Sequence, residues 1–254
     1  DVLIPETELP LLETVLERFG YVPSIETSGR LVSYQSHYHR TDRYGVTHAF
    51  DVHWRISNLQ SASGRFTHAE LWDRRMDVPA LDDAAVAVDD VFALLIALVH
   101  RAAHHPGSTN LLWIYDLEQL ARRLTPEELD RVRDIATDRG LAQIAADGLA
   151  LAQDFFGGEK LEGLVAALRN APSRRDDVPL MGGSLTQAHV LRLDLRALPT
   201  WRARVRLLRE HLLPPADYMR ARYGVGSTAW LPVFYGWRVV RGIPRWLARA
   251  ADTQ

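Results

Sequence analysis

Between Ala49 and Ile56 a carboxylate, an imidazole and a guanidinium interrupt an apolar strand at every second position. Phe50, Val52, Trp54 and Ile56 alternate with Asp51, His53 and Arg55. Alternation at period two sends the two sets to opposite faces, so one face packs on a core and the other lines solvent or a site. An ordinary wet face would carry Thr, Ser or Lys. Asp, His and Arg in a row suit a site that handles metal or phosphate. The plainer reading of the same residues is a surface strand on which Asp51 pairs with Arg55 or Arg40.

The elements that would position these residues are mixed. Asp1–Pro5 reads as a strand. A helix follows from about Thr7 to Phe19, with Leu9, Leu12, Val15 and Leu16 as its inner stripe and Gly20 as its stop. Strand-like segments run through Leu31–Tyr34, Gln35–Arg40 and Val46–Ser57, and the turn chemistry of Thr41–Gly45 makes the last two a hairpin. After Ser61 the periodicity becomes helical. Helices are expected over Asp83–His104, Leu111–Leu124, Leu141–Phe156, Lys160–Leu168, Pro199–Leu213 and Ala229–Ala250. Another starts at Thr125-Pro126-Glu127-Glu128, where Thr caps and Glu128 completes a capping box, and ends at Gly140. Asn170–Gly183 reads as a polar loop. The expected fold is therefore α+β, with a small mixed-sheet domain over residues 1–60 and an α-helical domain over 61–254.

Composition narrows the function classes. Net charge is −2 and the pI about 6.6, which gives no bulk attraction to nucleic acid. There is no cysteine, so disulfides and thiolate metal sites are excluded, and a cytoplasmic location is expected. No apolar run reaches membrane-spanning length. Lys160 is the sole lysine, and the arginine excess reads as compositional bias.

The layout resembles the uncharacterised nucleotidyltransferase family of the polymerase-β-like superfamily. Asp1-Val2-Leu3-Ile4-Pro5 stands where that family has the end of an Asp-x-Asp strand. A helix ending in Phe19-Gly20-Tyr21 follows, and Asp51-Val52-His53-Trp54 matches the strand that carries the third Asp. His100-Arg-Ala-Ala-His-His and Leu111-Leu-Trp-Ile-Tyr-Asp116 resemble a further family segment, as does Pro214 through Tyr223. In this register Asp1 is the second Asp of the pair, and the first is expected two positions before residue 1, so the sequence is read as beginning inside the first strand.

The resemblance implies transfer of a nucleoside monophosphate, AMP from ATP, to an acceptor, with release of pyrophosphate. Mg²⁺ (or Mn²⁺) is the implied cofactor, because paired divalent ions clamp the attacking and leaving oxygens and prefer hard carboxylates. Asp1 and Asp51 are the implied metal and catalytic residues, with Asp51 also placed to take the acceptor proton. Arg55 is a candidate for phosphate, and His53 for a hydrogen bond beside the nucleotide and metal. The partners implied are a nucleoside triphosphate and an acceptor that is a small molecule, a peptide, a protein or an RNA. Fold analogy does not choose among these. No stable membrane insertion is expected, and the oligomeric state is not set.

Two other readings stay open at this point. His37, His39 and His53 with Asp51 form a candidate zinc-binding hydrolase site, since imidazole and carboxylate suit zinc. Alternatively the fold serves as a catalytically inactive binding module. His100 and Asp116 read as a buried structural pair, and Trp72, Trp113 and Trp230 as core. Tyr235–Arg249 reads as a helix with an arginine-rich outer face, with contact to a membrane surface as the alternative.

Overall fold

The computed structural model describes residues 1–24, 27–105, 107–174, 176–179 and 186–247, with the backbone alone for 243–247. Its described residues fall into two compact units. The first takes Asp1–Ser63 together with the described residues from Thr186 onward, and the second starts at Gly64. A single break at residues 60–61 does not capture this grouping, because the C-terminal helices return to the unit that holds the sheet.

The first unit is built on a four-stranded mixed sheet in the order β1-β4-β3-β2. Its strands are β1 (Val2–Leu3), β2 (Val22–Pro23), β3 (Gln35–Thr41) and β4 (Thr47–His53). β1 runs parallel to β4, and the other pairings are antiparallel. The β3–β4 turn closes as expected. Asp42 Oδ1 accepts from the Tyr44 and Val46 amides at 2.8 and 3.0 Å, and Gly45 takes the positive φ of +80°. One face of the sheet is core. Val52, Tyr38, Tyr34 and Trp54 are buried there with Leu9 and Leu16 of helix α1 (Leu9–Arg18). Val15, expected in the inner stripe, lies 38% exposed, so the stripe of α1 narrows to Leu9, Leu12 and Leu16. Gly20 ends the helix as expected, at φ +78°, with the Tyr21 amide returning to Leu16 O at 3.0 Å.

Residues 31–34 are not a strand. The Leu31 and Val32 amides donate instead to Glu210 Oε2, at 2.6 and 3.2 Å. The chain also leaves β4 at His53, short of the expected Ser57. After the short helix α2 (Gln60–Ser63), the unit resumes with α9 (Gln187–Ala197), α10 (Trp201–Leu212), α11 (Ala216–Tyr223) and α12 (Leu231–Leu247). Of these, α9 and α11 were not foreseen. Two carboxylates join these helices to the N-terminal part: Glu210 as above, and Asp194, which accepts from the Gln60 amide at 2.9 Å.

The second unit opens with α3 (His68–Trp72) and a small hairpin, β5 (Arg75–Asp77) paired with β6 (Val86–Val88). The hairpin replaces the first turns of the helix expected from Asp83. Asp89 caps the shortened helix α4 (Asp90–His104) by accepting from the Phe92 amide at 2.9 Å. There follow α5 (Leu111–Arg123), α6 (Pro126–Asp138), α7 (Ala142–Phe156) and α8 (Glu162–Arg169). The capping box of Thr125 and Glu128 is formed. Leu94, Leu95, Leu98, Ile114, Leu117, Ile144, Leu149 and Leu168 are fully buried between these helices. Gly148 of α7 lets α4 approach, since a Cβ there would stand 2.5 Å from Leu98 Cδ2. The sole lysine serves the fold, because Lys160 Nζ donates to the carbonyls of Ala121, Arg122 and Leu124 at the end of α5. The loop expected over 170–183 is described over 170–174 and 176–179, and the remainder lies outside the described residues.

Candidate active site

Opposite the core, the sheet carries a polar face. Register places its members. Val2 stands beside Val52 and Leu3 beside His53, so Asp1 and Asp51 are neighbours across the parallel β1–β4 pair. Residues side by side in a sheet share a face, so both carboxylates lie on the side away from Val52. His37 is directly opposite Asp51 on β3, and Gln35 is opposite His53.

The side chains on this face are linked. His37 donates through Nδ1 to Asp51 Oδ1, and its Nε2 lies 3.1 Å from Gln35 Nε2. His53 Nε2 lies 3.9 Å from Asp1 Oδ2. Asp1 and Asp51 remain partly open to solvent, whereas His53 is largely covered. Burial holds the His53 imidazole below its ordinary pKa of 6.5, with His37 adding to the effect and the Asp51 charge opposing it.

The expected residues divide on this geometry. Asp1, Asp51 and His53 are brought together on adjacent strands. Arg55 is not placed with them. Beyond His53 the strand ends, alternation no longer decides facing, and the Arg55 guanidinium stacks over the Tyr34 ring at 4.8 Å. Arg40 does not pair with Asp51 either; it donates to Phe19 O at 2.9 Å and covers the Tyr21 ring. The partner of Asp51 is His37, which pattern reading had assigned only to the zinc alternative. The signal was available: counting outward from the Thr41–Thr47 pair across the turn brings His37 opposite Asp51.

The donor set bears on which metal suits this face. Among the described residues, no group of three or more His, Cys, Asp or Glu is spaced to hold an ion. A protein zinc site needs at least three such ligands. His39 stands further toward the turn, with Nδ1 3.1 Å from Ser24 Oγ. Mg²⁺ asks less of the protein, since one or two carboxylates with substrate phosphates and water complete its shell. Asp1 and Asp51 fit that requirement.

The His100–Asp116 pair is not formed as a buried pair. Asp116 is exposed on α5, while His100 stacks with His104 at 4.8 Å and lies tilted against Trp113 at 5.5 Å. The buried polar contact on α4 is one residue on, where Arg101 donates to Asp147 at 2.8 Å. Trp72 and Trp230 are exposed rather than core, and Trp113 is half-buried.

A small mixed sheet with carboxylates on adjacent strands, followed by helices, is the arrangement of a nucleotidyltransferase domain. The sequence profile of the uncharacterised nucleotidyltransferase family matches residues 1–157, through the end of α7, and the chain belongs to that family. The segment from Pro214 to Tyr223 lies beyond the matched residues. Neither a curated protein nor a solved structure matches the chain. No described helix is long and apolar enough to cross a membrane.

Proposed function

We propose that this chain is a metal-dependent nucleotidyltransferase that moves a nucleoside monophosphate, AMP from ATP, onto an acceptor. The observation that carries this reading is the β1–β4 register, which sets Asp1 and Asp51 side by side on the polar face. Both would hold Mg²⁺ (or Mn²⁺), which when bound supplies charge stabilisation to the phosphorus oxygens and the leaving group.

The chain's own residues do the rest. His37 fixes the rotamer of Asp51 through its Nδ1 proton. The free lone pairs of Asp51 take the proton of the acceptor hydroxyl as its oxygen bonds to the α-phosphorus. The bond from that phosphorus to the bridging oxygen breaks, and pyrophosphate leaves with the electron pair. His53 stands beside the Asp1 carboxylate, with Nε2 3.9 Å from Oδ2. The family membership supports the reaction class, and the donor set supports the choice of metal.

Incubation with ATP labelled at the α-phosphate, in a cell extract that supplies acceptors, tests the reading. Asp51→Asn keeps the side-chain shape and removes both the anionic ligand and the base. Labelling is expected to fall by roughly 10²–10⁴-fold with melting unchanged. Chelated protein should recover with Mg²⁺. Labelling by Asp51→Asn at the parent level would remove the assigned role.

A further inference from the structure

The C-terminal helices carry a surface that the transfer reaction leaves unused. α12 is anchored through one side. Phe234 packs on Tyr223, Tyr235 Oη donates to Pro214 O at 2.6 Å, and Arg238 Nε donates to His211 O at 3.2 Å. On the side away from these anchors, Trp230, Val233, Trp237 and Val240 are 61%, 58%, 51% and 63% exposed. The spacing of Val233, Trp237 and Val240 puts them on one face of α12, and Trp230 stands in the 3-10 turn that leads into the helix. The helix α10, which contacts α12, also has Trp201 and Val205 exposed.

Charge accompanies this stripe. From Gln187 to Leu247 the sequence holds eleven arginines and three acidic residues, in a chain whose net charge is −2. Two of the three acids are committed internally, Asp194 to the Gln60 amide and Glu210 to the Leu31 and Val32 amides and to Arg206. Arg202, Arg209 and Arg241 are exposed. The outer face of α12, expected to be arginine-rich, is thus an apolar stripe with Arg241 beside the Trp237 ring at 6.0 Å.

We propose that α12, with α10 beside it, docks the protein on the surface of an anionic phospholipid bilayer. An in-plane helix buries an apolar stripe at the headgroup boundary, seats Trp there, and places arginines against lipid phosphates. The exposed valines decide between a membrane and a nucleic acid. Aromatic rings and arginines would serve either partner, but aliphatic side chains gain nothing from phosphates or base edges and gain from leaving water at an acyl boundary. The helix lies on the bilayer and does not cross it.

Sedimentation of the full chain with phosphatidylcholine vesicles, and with an equal mixture of phosphatidylcholine and phosphatidylglycerol, tests the proposal. Binding is expected to the mixed vesicles, with a blue shift of tryptophan emission. It should be released in about 1 M sodium chloride, where the screening length is about 3 Å. Val233→Ser with Trp237→Ala and Val240→Ser should weaken partitioning by at least roughly tenfold at an unchanged melting temperature. Replacing Arg202, Arg209 and Arg241 with Gln should cost roughly fivefold for each arginine. Five results overturn the proposal. They are no binding to the mixed vesicles in low salt, parent-level binding by the apolar-stripe variant, and a lowered melting temperature in that variant, which would show the stripe packed within the fold. The fourth is a dimer of the parent that the variant abolishes. Polyadenylate that binds both proteins equally and displaces the parent from vesicles would likewise assign the surface to nucleic acid.

Discussion

The two units solve opposite problems. The helical unit beginning at Gly64 buries large aliphatic side chains completely, with Leu94, Leu98, Ile114 and Leu149 at 2% exposure or less. The sheet unit gives one face of its central strand to the core and keeps the other polar. Its Asp1, His37, Asp51 and His53 are held by contacts with one another while staying open enough to meet a ligand. It even draws carboxylates from distant helices, Asp194 and Glu210, to satisfy backbone amides. A close-packed interior gives stability and a polar face stays accessible to solvent, so the comparison predicts that mutations in the two units fail differently.

The largest loss of stability is expected from Leu98→Ala in the helical unit. Leu98 is closely surrounded, with Gly148 approaching one methyl, so truncation leaves a void that helices on several sides cannot fill. A cost of about 2–5 kcal/mol in urea unfolding is expected. A cost below that of Asp51→Asn would break the contrast between the units.

A gain is expected from Asp194→Asn in the sheet unit. Burial pushes the Asp194 carboxyl up to about 6 from its ordinary 3.8, although the Gln60 amide pulls it down. The folded chain therefore disfavours its ionisation. The group's stabilising contribution is complete below about pH 4 and is lost as pH rises through 6. Asparagine still accepts from the Gln60 amide but carries no charge. The variant should be more stable than the parent by about 2–3 kcal/mol at pH 7.5 and equal to it near pH 3.5. Melts at the two pH values that differ by the same amount would refute the assignment.

The smallest effect is expected from Asp116→Ala. An exposed carboxylate on α5 should change stability by less than about 0.5 kcal/mol. A cost of the size associated with stranding a buried partner, about 1–3 kcal/mol, would restore the buried His100–Asp116 pair. Chemical denaturation resolves the two values.

Local pattern carried much of this protein. The alternation around Asp51-Val52-His53-Trp54 told which side chains share a face as far as the strand runs, because side-chain facing follows from strand geometry alone. The Thr125–Glu128 box and Gly20 marked helix ends for equally local reasons. Short apolar runs were less decisive. Val86-Ala-Val fits a helical stripe and a strand edge alike, and only its pairing with Arg75–Asp77 settles it as β6. Arg55 was misplaced because the sequence does not show that β4 stops at His53.

What the tertiary structure decided lies at long range. Glu210 reaches the Leu31 amide across 179 residues, and Asp194 reaches Gln60 across 134. Such contacts leave no period in the sequence, so neither the irregular backbone at 31–34 nor the return of α9–α12 to the sheet unit could be read there. The sequence by itself determined the members of the polar face on β4, the caps and most of the helices, because each depends on neighbours a few residues away. Folding alone decided that Arg55 turns to Tyr34 and that the outer stripe of α12 is exposed, because each depends on which other segment arrives to pack.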